Sequence, residues 1–423
     1  MQFTHRTPAF AAAAALALPL LAGCASSGAT GTTGAAGTVS PSSVTPAGRD
    51  AAGGSTGDST FRGKDLVISA GCTVPASRPA TVWVQGFDPS TWKKVVSVEF
   101  TLPAQVVIDK RDHEALSALY SLCANDLPHE EPAGGAATSD AAFGPRVRQL
   151  FDRDFTKLAV VTADDRTGAR HVGYVDRAGK FTDLTGDGNG FATTPKEQDA
   201  LLAPDGGSVW FTYLDAARRQ HIASRSTSGS HEITEQWAGE PPATRDNILL
   251  LGGSPLRGLL GPSPRFSPDG TRVSDFVLGS GRSVTSVTAS GPLATKGALA
   301  LPDHECEPSG WVDKHTLLCA HRDSGPNPKH LNNFWTIDVD RLQPEASRQT
   351  TDGAGPDLLP MTDRTNLPVA VSPDGKRLLF RSVQGKVEQP YVSALTPGAQ
   401  PQQISGQDAA TALGYGDVVL EWR

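Results

Sequence analysis

Apolar residues in this chain come in short runs, and several runs stand directly behind the same polar corner. Three segments share one grammar: Leu202 to Phe211 around Pro204-Asp205-Gly206, Phe266 to Val273 around Pro268-Asp269-Gly270, and Val371 to Phe380 around Pro373-Asp374-Gly375. Proline presets φ for the first corner of a turn, Asp takes the second, and Gly accepts the left-handed backbone that follows. Each segment therefore reads strand, turn, strand, and Asp205, Gly206, Asp269, Gly270, Asp374 and Gly375 are read as structural turn residues. Phe151 to Val161 and Gly310 to Cys319 occupy the same slot in degenerate form. The turn aspartates fall at 154, 205, 269, 313 and 374. Their uneven spacing suits a repeat whose insertions lie in loops.

A second hairpin accompanies each of these units. Thr81–Gly86 with Val95–Phe100 forms one that precedes all the corners. His171–Asp176 with Phe181–Thr185 is another, and Asn333–Asp340 and Pro390–Leu395 each open one more. Weaker pairs lie at 219–234 and 283–300. The count is six four-stranded units, with seven as the alternative. An all-β propeller is the architecture that such units predict. The tail strand Asp417–Trp422 has no partner in its own hairpin, so it is expected to pair near residues 64–100 and close the ring. Closure removes two exposed sheet edges. His113 to Cys123 carries apolar residues at 116, 119, 120 and 122, which fits a short helix or a strand; a strand is favoured. Ala124 to Pro145 reads as a long surface loop.

The start of the chain follows a different logic. Arg6 precedes an apolar stretch from Ala9 to Leu21, and Leu21-Ala22-Gly23-Cys24 follows. This run resembles the lipobox of bacterial lipoproteins. The resemblance implies a signal peptide over 1–23, a diacylglyceryl thioether on Cys24 and cleavage before it. It also implies anchorage on the extracytoplasmic side of a cell membrane, since two or three acyl chains hold stably. Residues 24–60 read as a tether: 31 of the 36 residues after Cys24 are Gly, Ala, Ser, Thr or Pro. Such a stretch buries too little apolar surface to offset chain entropy. The folded domain is placed at 61–423.

Composition narrows the chemistry. The 38 basic and 45 acidic residues leave a formal charge of −7, which argues against a nucleic-acid partner. With Cys24 assigned to lipid, Cys72, Cys123, Cys306 and Cys319 remain, and an exported protein with four cysteines is expected to pair them. The pairs expected are Cys72–Cys123 and Cys306–Cys319. A zinc site fails on spacing, because no cysteine pair is two to four residues apart. No metal site and no cofactor is expected.

Catalytic motifs fail on context. Gly53-Gly54-Ser55-Thr56-Gly57 matches the nucleophile-elbow pattern, but low-complexity flanks replace the strand and helix that an elbow needs. The His-Glu pairs at 113, 129, 231 and 304 never extend to a second histidine. Asp183 to Gly190 has the oxygens of a calcium loop but Thr194 where a bidentate carboxylate belongs. Asp205, Asp269 and Asp374 recur once per unit, as turn residues do and catalytic residues do not. Trp83, Trp210, Trp311 and Trp335 fall in strands and are read as packing between units.

The S-P-D-G corners, with Tyr174-Val175-Asp176 and Leu184-Thr185 as the second half of a unit, resemble the TolB-like, or PD40, propeller family over roughly 63–423. WD40 variants are disfavoured because no Trp-Asp dipeptide occurs. The resemblance implies a non-catalytic module that binds an envelope protein or polymer. The alternatives are a propeller hydrolase acting on lactones or glycans, and a solute-sensing ectodomain. The lining of the funnel discriminates: three or more converging Asp, Glu or His side chains speak for an enzyme, and Ser, Thr and Gly speak for binding.

Overall fold

The computed structural model describes residues 60–76, 79–108, 117–123, 144–185, 196–217, 219–238, 248–251, 254–256, 265–277, 282–287, 298–300, 307–320, 333–341, 355–384, 387–414 and 417–423. The leader, Cys24, the tether, Cys306, Thr350-Thr351 and most of the 124–145 and 183–194 loops lie outside the described residues.

The described chain is mostly β. The first sheet takes β1 (Val67–Thr73), β2 (Thr81–Phe87) and β3 (Lys94–Thr101). Two short helices follow, α1 (Ala118–Cys123) and α2 (Gly144–Arg148). The second sheet is β4 (Lys157–Ala163), β5 (Arg170–Asp176) and β6 (Phe181–Asp183). The third is β7 (Gln198–Leu202), β8 (Ser208–Leu214), β9 (Gln220–Ser226) and β10 (Ile233–Ala238). A hairpin of β11 (Leu249–Leu251) and β12 (Ser254–Leu256) separates it from the next. The fourth sheet is β13 (Arg265–Phe266), β14 (Arg272–Val277), β15 (Arg282–Val287) and β16 (Ala298–Ala300). The fifth is β17 (Glu307–Trp311), β18 (Thr316–Ala320) and β19 (Phe334–Asp338). The last is β20 (Thr365–Val371), β21 (Arg377–Gln384), β22 (Val387–Ala394) and β23 (Gln402–Gln403). Helix α3 (Gln407–Gly414) and β24 (Val418–Trp422) end the chain.

All these sheets are antiparallel meanders in chain order, with one exception: the first reads β24-β1-β2-β3. The tail strand thus pairs with the head of the folded portion, Val67 opposite Trp422 and Ala70 opposite Val418. Reciprocal bonds between Leu66 and Arg423, at 2.6 and 2.9 Å, finish the ladder.

The core lies between sheets. One cluster joins Val82, Val84, Val98 and Phe100 of the first sheet to Leu158 and Val160 of the second. Another joins Val161 and Val172 to Val209 and Phe211 of the third. Leu318 and Phe334 of the fifth pack on Leu378 and Phe380 of the last, and that sheet packs through Leu379 on Val67 and Val419. Period-two alternation explains the geometry: in β3, Val96, Val98 and Phe100 are buried while the residues between them are exposed.

The segment before Cys123 corrects the strand reading. It forms helix α1, because Ser117 caps it: Tyr120 N donates to Ser117 Oγ at 3.1 Å, and Ser121 N to Ser117 O at 3.0 Å. Leu119 and Leu122 then share a buried face. Cys123 is disulfide-bonded to Cys72, with a Cα–Cα distance of 4.9 Å. Cys319 is disulfide-bonded as well. Its partner lies outside the described residues.

Candidate functional site

The three S-P-D-G-type corners fold alike. The amide of Gly206 donates to Ala203 O, that of Gly270 to Ser267 O and that of Gly375 to Ser372 O, each at 2.8 Å. The three glycines have φ of +69°, +67° and +67°. The aspartates cap their own corners. Asp269 Oδ1 accepts from Ser267 Oγ at 2.6 Å and Thr271 N at 3.1 Å. Asp374 Oδ1 accepts from Ser372 Oγ at 2.6 Å and Lys376 N at 3.1 Å, and Asp205 Oδ1 from Gly207 N at 2.9 Å. The Ser267 hydroxyl, more than any other contact, brings the Asp269 carboxyl down to about 2. These aspartates do not meet at a common point; each serves one turn.

The corners set the ends of the strands that bound a cavity of about 730 Å³. Its wall takes one piece from each of six sheets: Phe151, Leu202, Phe266, Trp311, Val371 and Leu420. Phe151 bridges to Leu158 and so extends the second sheet inward. The corner prolines Pro204, Pro268 and Pro373 stand in the same wall. First strands of successive sheets lie side by side around it: β4 with β7, β13 with β17, β17 with β20, and β20 with β24.

The polar part of the wall is built from Arg148, Arg265, Arg423, Gln149 and Glu421, with Ser309 and Ser372 beside them. Arg148 Nε donates to Glu421 Oε2 at 2.8 Å, and Arg423 Nε to Glu421 Oε1 at 2.6 Å. Burial acts to raise the Glu421 carboxyl, but the two guanidinium groups outweigh it and hold the group below its ordinary range. The same arginines brace the backbone. Arg148 NH1 donates to Phe151 O and Asp152 O at 3.0 and 3.1 Å, and Arg423 NH2 to Arg153 O at 2.9 Å. Gln149 binds both backbone groups of Leu250 at 2.8 Å. The cavity wall is therefore rigid, and the one carboxylate among its described residues is committed to two cations.

Beneath Arg148 and Arg423 lies one of the two degenerate corners. Phe155 stands where the three S-P-D-G-type corners have glycine, and it keeps the left-handed backbone at φ +53°. A bulky residue there costs about 1–2 kcal/mol. Full burial offsets the cost. Phe61 and Phe151 pack on its ring at 4.7 and 5.4 Å, and the guanidinium carbons of Arg148 and Arg423 sit 4.5 and 5.1 Å from its centroid.

The lining matches neither alternative expected from the sequence. It is apolar and arginine-rich rather than carboxylate-rich or Ser/Thr/Gly-rich. Among the described residues, no three His, Cys, Asp or Glu side chains are placed to hold a metal ion. Of the four tryptophans read as packing, Trp210, Trp311 and Trp335 are buried, and Trp311 also faces the cavity while its Nε1 donates to Arg265 O at 3.1 Å. Trp83 is half-buried and donates to Asp417 at 3.2 Å. Arg148, Arg265, Glu421 and Arg423 belong to no recognisable motif. The signal was present in the tail, where Glu421 interrupts an apolar strand.

No family model matches the chain, and no curated protein does. Solved structures do resemble it, distantly. TolB from Acinetobacter baumannii is 13% identical over 81% of this chain and 70% of its own, with a TM-score of 0.31. A putative TolB from Agrobacterium tumefaciens is 13% identical over 63% of this chain and 81% of its own, with a TM-score of 0.31. The β-propeller domain of the Trilobed protease from Pyrococcus furiosus is 8% identical over 81% and 84%, with a TM-score of 0.33.

Proposed function

We propose that this chain is a lipid-anchored, extracytoplasmic β-propeller of six four-stranded blades that binds an envelope protein or polymer and performs no catalysis. The observation that carries the binding reading is the state of Glu421. Among the described residues it is the one carboxylate in the cavity wall, and it is held ionised between Arg148 and Arg423. A general acid or base needs a proton that can move near neutral pH, and this group is poised far from that. What the cavity offers instead is a rigid mouth of proline and aromatic side chains, suited to recognising a protruding part of a partner. Cys24 and the tether supply the anchor, and the uneven repeat supplies the blades.

Two experiments test this. Lipid labelling of intact cells is expected to mark the wild type and not Cys24→Ala; membrane retention of the unlabelled variant would remove the anchor. Cross-linking and pull-down from native membranes is expected to recover a stoichiometric envelope partner. Turnover in a broad ester and glycoside screen, with no partner recovered, would replace the binding module with the hydrolase.

A further inference from the structure

A second recess lies away from the cavity and shares no lining residue with it. It encloses about 220 Å³ between the stretch leading into β20, the β21–β22 hairpin and the turn that ends at Pro401. Tyr391, Pro360, Pro401 and Met361 provide apolar surface. Met361 is 81% exposed, the most exposed large hydrophobic side chain among the described residues. Arg364, Asn366, Ser382, Gln400 and Thr362 supply hydrogen-bonding groups around them.

The polar wall is preorganised. Arg364 Nε donates to Ser382 Oγ at 2.7 Å, and that hydroxyl donates to Asn366 Oδ1 at 2.7 Å. Arg364 NH1 reaches Gln384 Oε1 at 3.1 Å, and Gln384 Nε2 donates to Asp363 at 3.0 Å. This chain of bonds fixes the guanidinium 5.7 Å from the Tyr391 ring centroid. Tyr391 is itself backed by Phe380, stacked at 5.7 Å. The platform is therefore rigid, and planar amide and guanidinium groups surround it.

We propose that this recess binds a single pyranose ring of a glycan. Its volume is below the roughly 300–1,000 Å³ of drug-sized sites, so a one-ring ligand fits it. Six of its eleven described lining side chains carry donors or acceptors, so the lining is mixed rather than apolar. A pyranose meets both demands: one face of ring C–H groups lies on Tyr391 and the prolines, and a perimeter of hydroxyls both donates and accepts. An extended proline-rich peptide fits less well, because such peptides dock on grooves lined by several aromatic rings, and the open part of this wall offers Tyr391 alone. The site is independent of the cavity, so its test and the pull-down fail separately.

Saturation-transfer NMR on the purified full-length protein, with methyl glucoside, galactoside and mannoside, N-acetylglucosamine and glucuronate as probes, tests the site. Transfer to ring protons of at least one pyranose is expected, with affinity in the millimolar range typical of so small a ligand. Thr362→Trp, which fills the rim, is expected to abolish it with an unchanged thermal midpoint. Gln400→Ala is expected to weaken it roughly five- to tenfold, the loss of one hydrogen bond. No transfer from any probe, transfer undiminished in Thr362→Trp, or binding of a proline-rich peptide in place of the sugars would overturn the proposal.

Discussion

Arg148 Nε donates to Glu421 Oε2 at 2.8 Å, and 273 residues of chain separate the two partners. Arg148 ends α2 and Glu421 belongs to the tail strand, so the pair pins the second sheet's entry to the strand that completes the first. Arg423 binds the same carboxylate from the other side. Glu421→Gln removes the charge and keeps the shape, and it is expected to lower stability by about 1–3 kcal/mol in denaturant unfolding at neutral pH. The carboxyl is held below its ordinary value of 4.5, so the folded state binds its proton more weakly than the unfolded state. Its contribution is present above about pH 4.5 and is lost as pH falls through the folded value. The gap between wild type and Glu421→Gln should therefore shrink on acidification. A gap that stays constant between pH 7 and pH 3 would show that the charge contributes nothing.

Phe155 gives an ordering that packing alone does not. Phe155→Ala deletes the ring but keeps a Cβ at φ +53°. Phe155→Gly deletes slightly more and removes the left-handed penalty. Both lose the contacts with Phe61 and Phe151, at about 3–5 kcal/mol. Glycine is nevertheless expected to be the milder change by about 1 kcal/mol. Equal unfolding midpoints, or alanine the milder, would mean that the backbone there relaxes freely.

These two sites show what could be read from residues and what could not. The corners were legible because a left-handed turn position demands glycine, and Gly206, Gly270 and Gly375 stand where the demand falls. The tail strand was legible because Val418 to Trp422 had no partner nearby. Phe155 was not, since nothing local tells that a phenylalanine holds a glycine's backbone; its cage comes from Phe61, Arg148 and Arg423. Helix α1 was misread because its apolar spacing fits either period, and the deciding feature is one hydroxyl, that of Ser117. The charges of the cavity wall come from positions 148, 265, 421 and 423, on strands and a helix that only the fold brings together. The recess beside Tyr391 was equally hidden, for its walls come from separate strands and turns between Leu359 and Pro401 that only the fold brings together.

Two glycines with the same backbone separate strain from crowding. Gly270 and Gly375 both have φ +67°, yet a Cβ at Gly270 meets nothing within 4 Å among the described residues, whereas one at Gly375 comes within 2.5 Å of Val312 O. Gly270→Ala is expected to cost about 1–2 kcal/mol, from backbone strain alone. Gly375→Ala should cost a further ~1–3 kcal/mol, because the fifth sheet's corner must move aside. Thermal unfolding of the two variants side by side checks this. Similar losses would indicate that the contact between these corners is loose in solution.

The Cys72–Cys123 bridge closes a sequence separation of 51 and ties α1 to the end of β1. Loop-closure entropy for that length sets an upper expectation of about 4 kcal/mol. Both sulfur atoms are buried in the core cluster that also holds Val82 and Leu122. The Cys72→Ser/Cys123→Ser variant therefore loses the cross-link and also places two hydroxyls in an apolar layer. The Cys72→Ala/Cys123→Ala variant loses the cross-link and two buried sulfur atoms but adds no polar group. The alanine pair is expected to unfold about 2–4 kcal/mol earlier than the oxidised wild type, and the serine pair earlier still. Reductant should bring the wild type down to the alanine pair or below it, because it also opens the Cys319 bridge. A wild type whose stability ignores reductant, with no free thiol appearing on unfolding, would mean that the bridge stays shielded through the transition. A wild type with both thiols free before unfolding would remove the bridge from the account of this layer.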